Sequence, residues 1–347
     1  MPAVVRGALN LAALALAVIV LVALPDLVEV FDLMQITLFA AMGVLALSLG
    51  FIWGFGGILS FGQTAFFGIG GYTYAVAAIN LGDSTGAIAL AICVPAIVAG
   101  MIGYFAFYGR ISDVYLGVIT LTVTLILFDA VNSTAGDEYR IGKAALGGFN
   151  GMPSVPTFNL PGDPSTVLDP TQGWYATGGA LIVVYGLLRL ILGSRFGRIA
   201  VAVRENEVRA SLLGYDPRII RLAVFVIGGA IAGLGGALYT NWGAFVSPTI
   251  FSLSLSAEII IWITVGGLGT LIGPVIGCFL IQYLTSQIGS QQTFNSNLIL
   301  GAILIAFVLL LPKGLIPTLR DLVMKAARAL PRRGTAIEAS EKLVGAK

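Results

Sequence analysis

The side chains able to do chemistry gather in one internal stretch, residues 194–221, which reads SRFGRIAVAVRENEVRASLLGYDPRIIR. It sets Arg195, Arg198, Arg204, Arg209, Arg218 and Arg221 against Glu205, Glu207 and Asp216. Beyond it the chain is nearly pure hydrocarbon: from Leu222 to Pro312 the sole charged residue is Glu258. Mixed charge of this kind suits ion pairing with another protein's surface. Gly197 can open a helix and Gly214 suits a helix C-cap, so one short amphipathic helix is expected over 198–214. Val201, Val208 and Leu212 supply its apolar side. Glu205 with Arg209 and Arg204 with Glu207 then stand one turn apart, where each pair adds a few tenths of a kcal/mol. An ordinary basic loop is the competing reading. Acids mixed among the bases, and the GYDP turn, favour a docking surface.

Elsewhere such residues are sparse. The chain has no histidine and two cysteines, so the commonest general base and metal ligand are missing. Cys93 and Cys278 lie in apolar runs and read as small buried hydrophobes. No CxxC, HExxH or acidic cluster occurs, and no GxxxxGK[ST] phosphate loop. No metal site and no cofactor are expected on this chain; any ATP and Mg are expected on a partner. Ser60, Gln63 and Thr64 lie in a Gly-rich segment, and Thr120, Thr122 and Thr124 on one apolar stretch. An alternation of two does not define a helix face, so at most a subset of the threonines can line a path. Ser60, Gln63, Thr64, Thr120, Thr124 and Glu258 are the candidate contacts of a translocated solute. Asp129 and Glu258 are ionisable groups near spans, and an interfacial residue reaching water is the alternative for each. Trp242 and Trp262 read as interface anchors or packing residues.

These residues must be positioned by a membrane protein. Of 347 residues 57% are hydrophobic and only 10% charged, with mean hydropathy +0.96; soluble domains carry about 25% charged residues. The fold class is an all-α polytopic membrane protein. Spans are expected at 9–25, 34–53, through the Gly-rich segment to 80, then 86–108, 114–132, 174–192 and 219–245. Residues 255–288 are too long for one span and break at GGLGTLIGP, giving two shorter helices hinged at Gly266, Gly267 and Gly269. A last span covers 298–311. That makes about ten transmembrane helices, with eight as the alternative. A cleaved leader is the rival reading of the first span, but no A-x-A site follows it. Residues 133–172 form a long polar loop with five prolines, expected to be irregular with at most a short helix. With both termini inside, every basic residue except Arg140 and Lys143 is cytoplasmic, so the positive-inside rule favours N-in, C-in. The loop 133–172 is then external, 194–221 is a cytoplasmic loop, 1–317 is the transmembrane domain and 318–347 a basic, partly disordered tail.

Three separated motifs carry a family resemblance. GRIAVAVRENEVRASLLGYDPRIIRLAVFVIGGAIAGLGGALY resembles the cytoplasmic signature of ATP-binding cassette importer permeases, LivM-type branch, which also contains the urea permeases. The matching positions are Gly197 with Arg198, Arg204 with Glu207, Gly214, and Gly236 to Tyr239. GILSFGQTAFFGIGGY resembles the family's span-3 motif and EIIIWITVGGLGTLIGPVIG its Gly-rich break. Two departures stand out: Val208 and Arg209 replace alanines common after the glutamate, and the downstream Leu-Pro of many sugar and metal importers is absent. The resemblance implies a non-enzymatic permease subunit of the bacterial or archaeal cytoplasmic membrane, multi-pass in the lipid bilayer. It implies that Arg198, Arg204, Glu207 and Gly214 serve ATPase coupling, seating in ATP-binding cassette subunits. It also implies a second permease subunit and a periplasmic or extracellular substrate-binding protein; nucleic acid is not a partner. The expected solute is a branched-chain or related amino acid. Urea or a short amide is the alternative, and a secondary transporter a third class, for which no coupling-ion site is visible.

Overall fold

A computed structural model describes residues 3–136, 138–160, 163–289, 301, 305 and 314–329. Five helices are long and apolar enough to cross a membrane: α2 (Val30–Gly56), α4 (Ser84–Tyr108), α5 (Asp113–Asn132), α6 (Pro170–Gly193) and α9 (Pro217–Gly243). With them stand α1 (Ala3–Leu27), α3 (Gln63–Leu81), the short α7 (Arg195–Glu205) and α8 (Glu207–Leu212), α10 (Leu253–Gly266), α11 (Gly273–Gly289) and α12 (Leu315–Ala329). The expected span at 298–311 and the tail beyond residue 329 lie outside the described residues.

The core is built where α9 meets α2, α3 and α4, and small residues let it close. A Cβ at Gly236 would overlap the carbonyl oxygen of Phe67, and one at Gly70 the carbonyl oxygen of Gly233. Gly233 in turn sits on the carbonyl oxygen of Ala91 and the ring of Pro95. Pro95 has no N–H to return to Ala91, so the proline that would weaken an isolated α4 creates the notch that α9 fills. Apolar side chains complete the seal: Phe225 meets Phe66 and Phe107 edge-on at 5.4 and 5.9 Å. Trp262 is fully buried, which makes it a packing residue and excludes the interface-anchor reading for it. Trp242 lies near the surface and donates Nε1–H to the carbonyl of Met34 at 2.8 Å. Cys278 is buried as expected, but Cys93 is exposed on α4.

Each end of the helix bundle has its own chemistry. One end gathers the polar loop. Asn80 accepts from Lys143 N at 2.8 Å, Asn159 Oδ1 accepts from Ser84 N at 2.8 Å, and Met152 pairs with Val246. The loop is more ordered than expected. Arg140–Ile141 pairs with Ala144–Ala145 around a left-handed Gly142, Asn159–Leu160 pairs with Asp163–Val167, and Gly148–Asn150 forms a 3-10 turn. Asp83, which caps α4, accepts from Thr85 N at 3.0 Å and Asn159 Nδ2 at 3.1 Å. The Thr85 backbone N–H first, and Asn159 second, hold its carboxyl below the usual range. The stability this contributes is complete above the unfolded carboxylate's pKa and is lost as pH falls through the depressed one. Acidification should therefore lower the protection of the Thr85 amide, measured as its exchange relative to the intrinsic rate at the same pH, and Asp83→Asn should remove that pH dependence. An Asp83→Asn protein with the parent's acid dependence would contradict the assignment.

The opposite end is basic and holds the expected Gly-rich break. α10 stops at Gly266 and α11 starts at Gly273, with Gly267 and Gly269 at positive φ between them. At about 1.5 Å per residue, fourteen-residue α10 is near 21 Å long, short of the ~30 Å hydrocarbon thickness.

Candidate functional site

At the basic end the charged stretch forms two helices instead of one. Ser194 Oγ accepts from Gly197 N and opens α7, so Gly197 lies inside the first turn instead of starting the helix. Asn206 is extended, ends α7, and opens α8 by accepting from Arg209 N at 2.8 Å. This break overturns the single helix over 198–214 and both expected one-turn ion pairs. Gly214, at φ +88°, does follow the last turn of α8 in the left-handed form.

The charges pair across helices. Arg221 on α9 is only 14% exposed at its side chain; it binds Asp113 at the start of α5 and reaches Glu207 at 3.6 Å. Its guanidinium also lies 5.1 Å from the Phe107 ring centre. One cation thus ties α9, α5 and α8. Glu207 and Asp113 remain about half exposed, at 53% and 52%, so the staple leaves both carboxylates open to a visitor. Around it lies a cleft of about 640 Å³ between α8 and the α4–α5 turn, lined among others by Arg110, Asp113, Glu207, Val208 and Arg218. Arg110 holds φ +54° there, a conformation that costs a non-glycine residue roughly 1–2 kcal/mol. The sequence reading missed Asp113, Arg110 and the role of Arg221. The acid opening α5 and the base on α9 lie 108 positions apart, and no local pattern connects them.

Arg204 points elsewhere. Its Nη1–H donates to the carbonyl oxygen of Gly54 at 2.5 Å, and its side chain packs on Gly57, the left-handed cap of α2. A guanidinium at the carboxyl end of a helix satisfies free carbonyls and suits the dipole. A Cβ at Gly54 would come 3.2 Å from the Gly269 amide nitrogen. The end of α7, the end of α2 and the Gly267–Gly269 break therefore meet at one point. Arg198 stays at the surface, donating to the Gly193 carbonyl at 2.9 Å.

The expected solute contacts lie inside the bundle. Ser60, Gln63, Thr64, Thr120 and Thr124 are all buried. Gln63 Nε2 donates to Ser48 Oγ at 3.0 Å and to the Gly228 carbonyl at 3.1 Å, while Thr64 and Ser256 hydroxyls meet at 2.7 Å. Thr120 and Thr124 return their protons to the Gly117 and Thr120 carbonyls. Thr122, between them, is exposed with Asp129 on the outward face of α5. Glu258 is half-buried, with no ion-pair partner beside it among the described residues. Two polar atoms of the buried group, Ser60 Oγ and Gln63 Oε1, have no hydrogen-bond partner among the described residues.

A family described as "Branched-chain amino acid transport system / permease component" matches residues 33–308. The high-affinity branched-chain amino acid transport system permease protein LivM of Escherichia coli (strain K12) is 27% identical over 299 residues, 80% of this chain and 68% of that one. Its Salmonella typhimurium namesake is 28% identical over 305 residues, 82% of this chain and 70% of that one. The probable LivM of Methanocaldococcus jannaschii is 26% identical over 294 residues, 76% and 81% of the two chains. No solved structure matches.

Proposed function

This chain belongs to the family of permease components of branched-chain amino acid transport systems, and we propose that it is the membrane subunit of an ATP-binding cassette importer for those amino acids. The observation that carries the reading is the Arg221 staple and its cleft, where two half-exposed carboxylates and an arginine-rich rim present a water-facing seat at the basic end. The seat receives an ATP-binding cassette subunit, which binds ATP and Mg and does the hydrolysis. A second permease completes the pathway, and a periplasmic or extracellular binding protein docks on the external loops, mainly residues 133–172. The chain crosses a bacterial or archaeal cytoplasmic membrane about ten times with both termini inside, which puts the basic end in the cytoplasm.

The mechanism follows the contacts. Closure of the ATPase pair displaces α7 and α8. Arg221 carries the movement to α5 and α9, and Arg204 carries it to the end of α2 beside Gly269. The break at Gly266, Gly267 and Gly269 then acts as a hinge for α10. Ser60, Gln63, Thr64, Thr120, Thr124 and Glu258 meet the solute once the spans part. The orphaned Ser60 Oγ and Gln63 Oε1 each cost about 1–3 kcal/mol while buried, a cost removed when opening admits water or solute.

Uptake into vesicles holding this chain with its ATPases, second permease and binding protein tests the reading. Leucine, isoleucine and valine should accumulate with ATP, and urea should not. Urea accumulation without leucine would keep the architecture and replace the solute. ATP-independent uptake would favour a secondary transporter.

A further inference from the structure

The last described helix, α12, has no part in the seat or the pathway, yet its sequence is strongly two-faced. Leu315, Ile316, Leu319, Leu322, Val323 and Ala326 recur at three- and four-residue spacing, and Arg320, Lys325 and Arg328 fall at other angles with one acid, Asp321. Leu319 and Leu322 are 49% and 57% exposed. Arg320 is exposed as well. A soluble helix would bury such leucines against a neighbour. Here α12 touches α10 and α11, and among the described residues Leu319 and Leu322 stay uncovered.

Its starting point says what covers them. Gly314, at φ +80°, is pressed so closely on Gly267 that a Cβ would overlap the Gly267 Cα. Thr318 Oγ1 donates to the Gly314 carbonyl at 2.7 Å and secures the first turn. The helix therefore leaves the bundle beside the Gly267–Gly269 break and the carboxyl end of α2, a helix long enough to cross a membrane, and so at the bilayer boundary. An apolar stripe with cations beside it, placed at that depth, matches a helix lying in the interface of an anionic membrane. The ATPase seat is bounded by α8 and the α4–α5 turn, not by α12. We propose that α12 binds the anionic phospholipid surface, with Leu319 and Leu322 in the acyl boundary and Arg320 among the headgroups, on the helix side where the sequence also sets Lys325 and Arg328. Through Gly314 this attachment sets the rest position of the Gly267 hinge.

The test places a bimane label at Leu322→Cys in a Cys93→Ser background, in the full chain reconstituted with its partner subunits. Vesicles are phosphatidylcholine alone or phosphatidylcholine with phosphatidylglycerol. Brominated lipid should quench the label, and iodide should not, in the anionic vesicles. Replacing Arg320, Lys325 and Arg328 by glutamine should weaken the attachment on the order of 100-fold and expose the label to iodide. Equal lipid quenching in both vesicle types overturns the recognition of charge. A label open to iodide in every lipid overturns the site, and so does shielding that appears only when the ATPases are added. None of these readouts depends on which solute is carried.

Discussion

Glu207→Arg should reduce ATP-driven uptake on the order of 100-fold while the chain still folds. Glu207 sits on the first turn of α8, half exposed, facing Arg221 at 3.6 Å. Reversal puts a third guanidinium beside Arg221 and Arg218 and removes an acid that a partner's cation would meet. Like-charge juxtaposition in an interface costs several kcal/mol, and each 1.4 kcal/mol is about tenfold. The fold itself should lose little, because Arg221 keeps its Asp113 partner and an arginine at the half-exposed position 207 can turn into water. The checks are uptake, co-purification of the ATPase subunits and the thermal midpoint. Unchanged uptake would show that the cleft is not the seat.

Gly236→Leu should have the largest effect on folding. The Gly236 Cα lies against backbone: a Cβ would overlap the Phe67 carbonyl oxygen and stand 2.7 Å from the Gly71 nitrogen. Overpacking a core costs about 1–3 kcal/mol when side chains can repack, and here two helix backbones cannot turn aside. The variant should lose most of its monodisperse, membrane-extracted protein. Gly186→Leu is the control, since nothing lies within 4 Å of its Cβ position. If Gly236→Leu behaved like the control, α3 and α9 would not be in backbone contact.

The parts of this fold legible in the sequence were those with local punctuation. The break at Gly266 was marked by glycines and Pro274, and the left-handed Gly214 by its place after an apolar run. The helix switch at Asn206 carried a cap signal too, but charge spacing pointed to a continuous helix, and the cap won by satisfying the Arg209 amide. Which face of a span meets lipid was not legible. In a bundle both faces are apolar, so Cys93 read as buried and is exposed, while Thr120 and Thr124 gave no sign that the core encloses them. The staple was the least readable feature. Asp113, Glu207 and Arg221 are brought together by tertiary packing alone.

Maleimide labelling of Val208→Cys in a Cys93→Ser background tests the central claim most directly. Val208 is 68% exposed and lines the cleft. The account predicts rapid labelling of the chain alone, slowed at least about tenfold by the ATPase subunits, as expected for a contact held by a few kcal/mol, and unaffected by the binding protein. Equal labelling in the chain alone and in a transport-competent complex would contradict it.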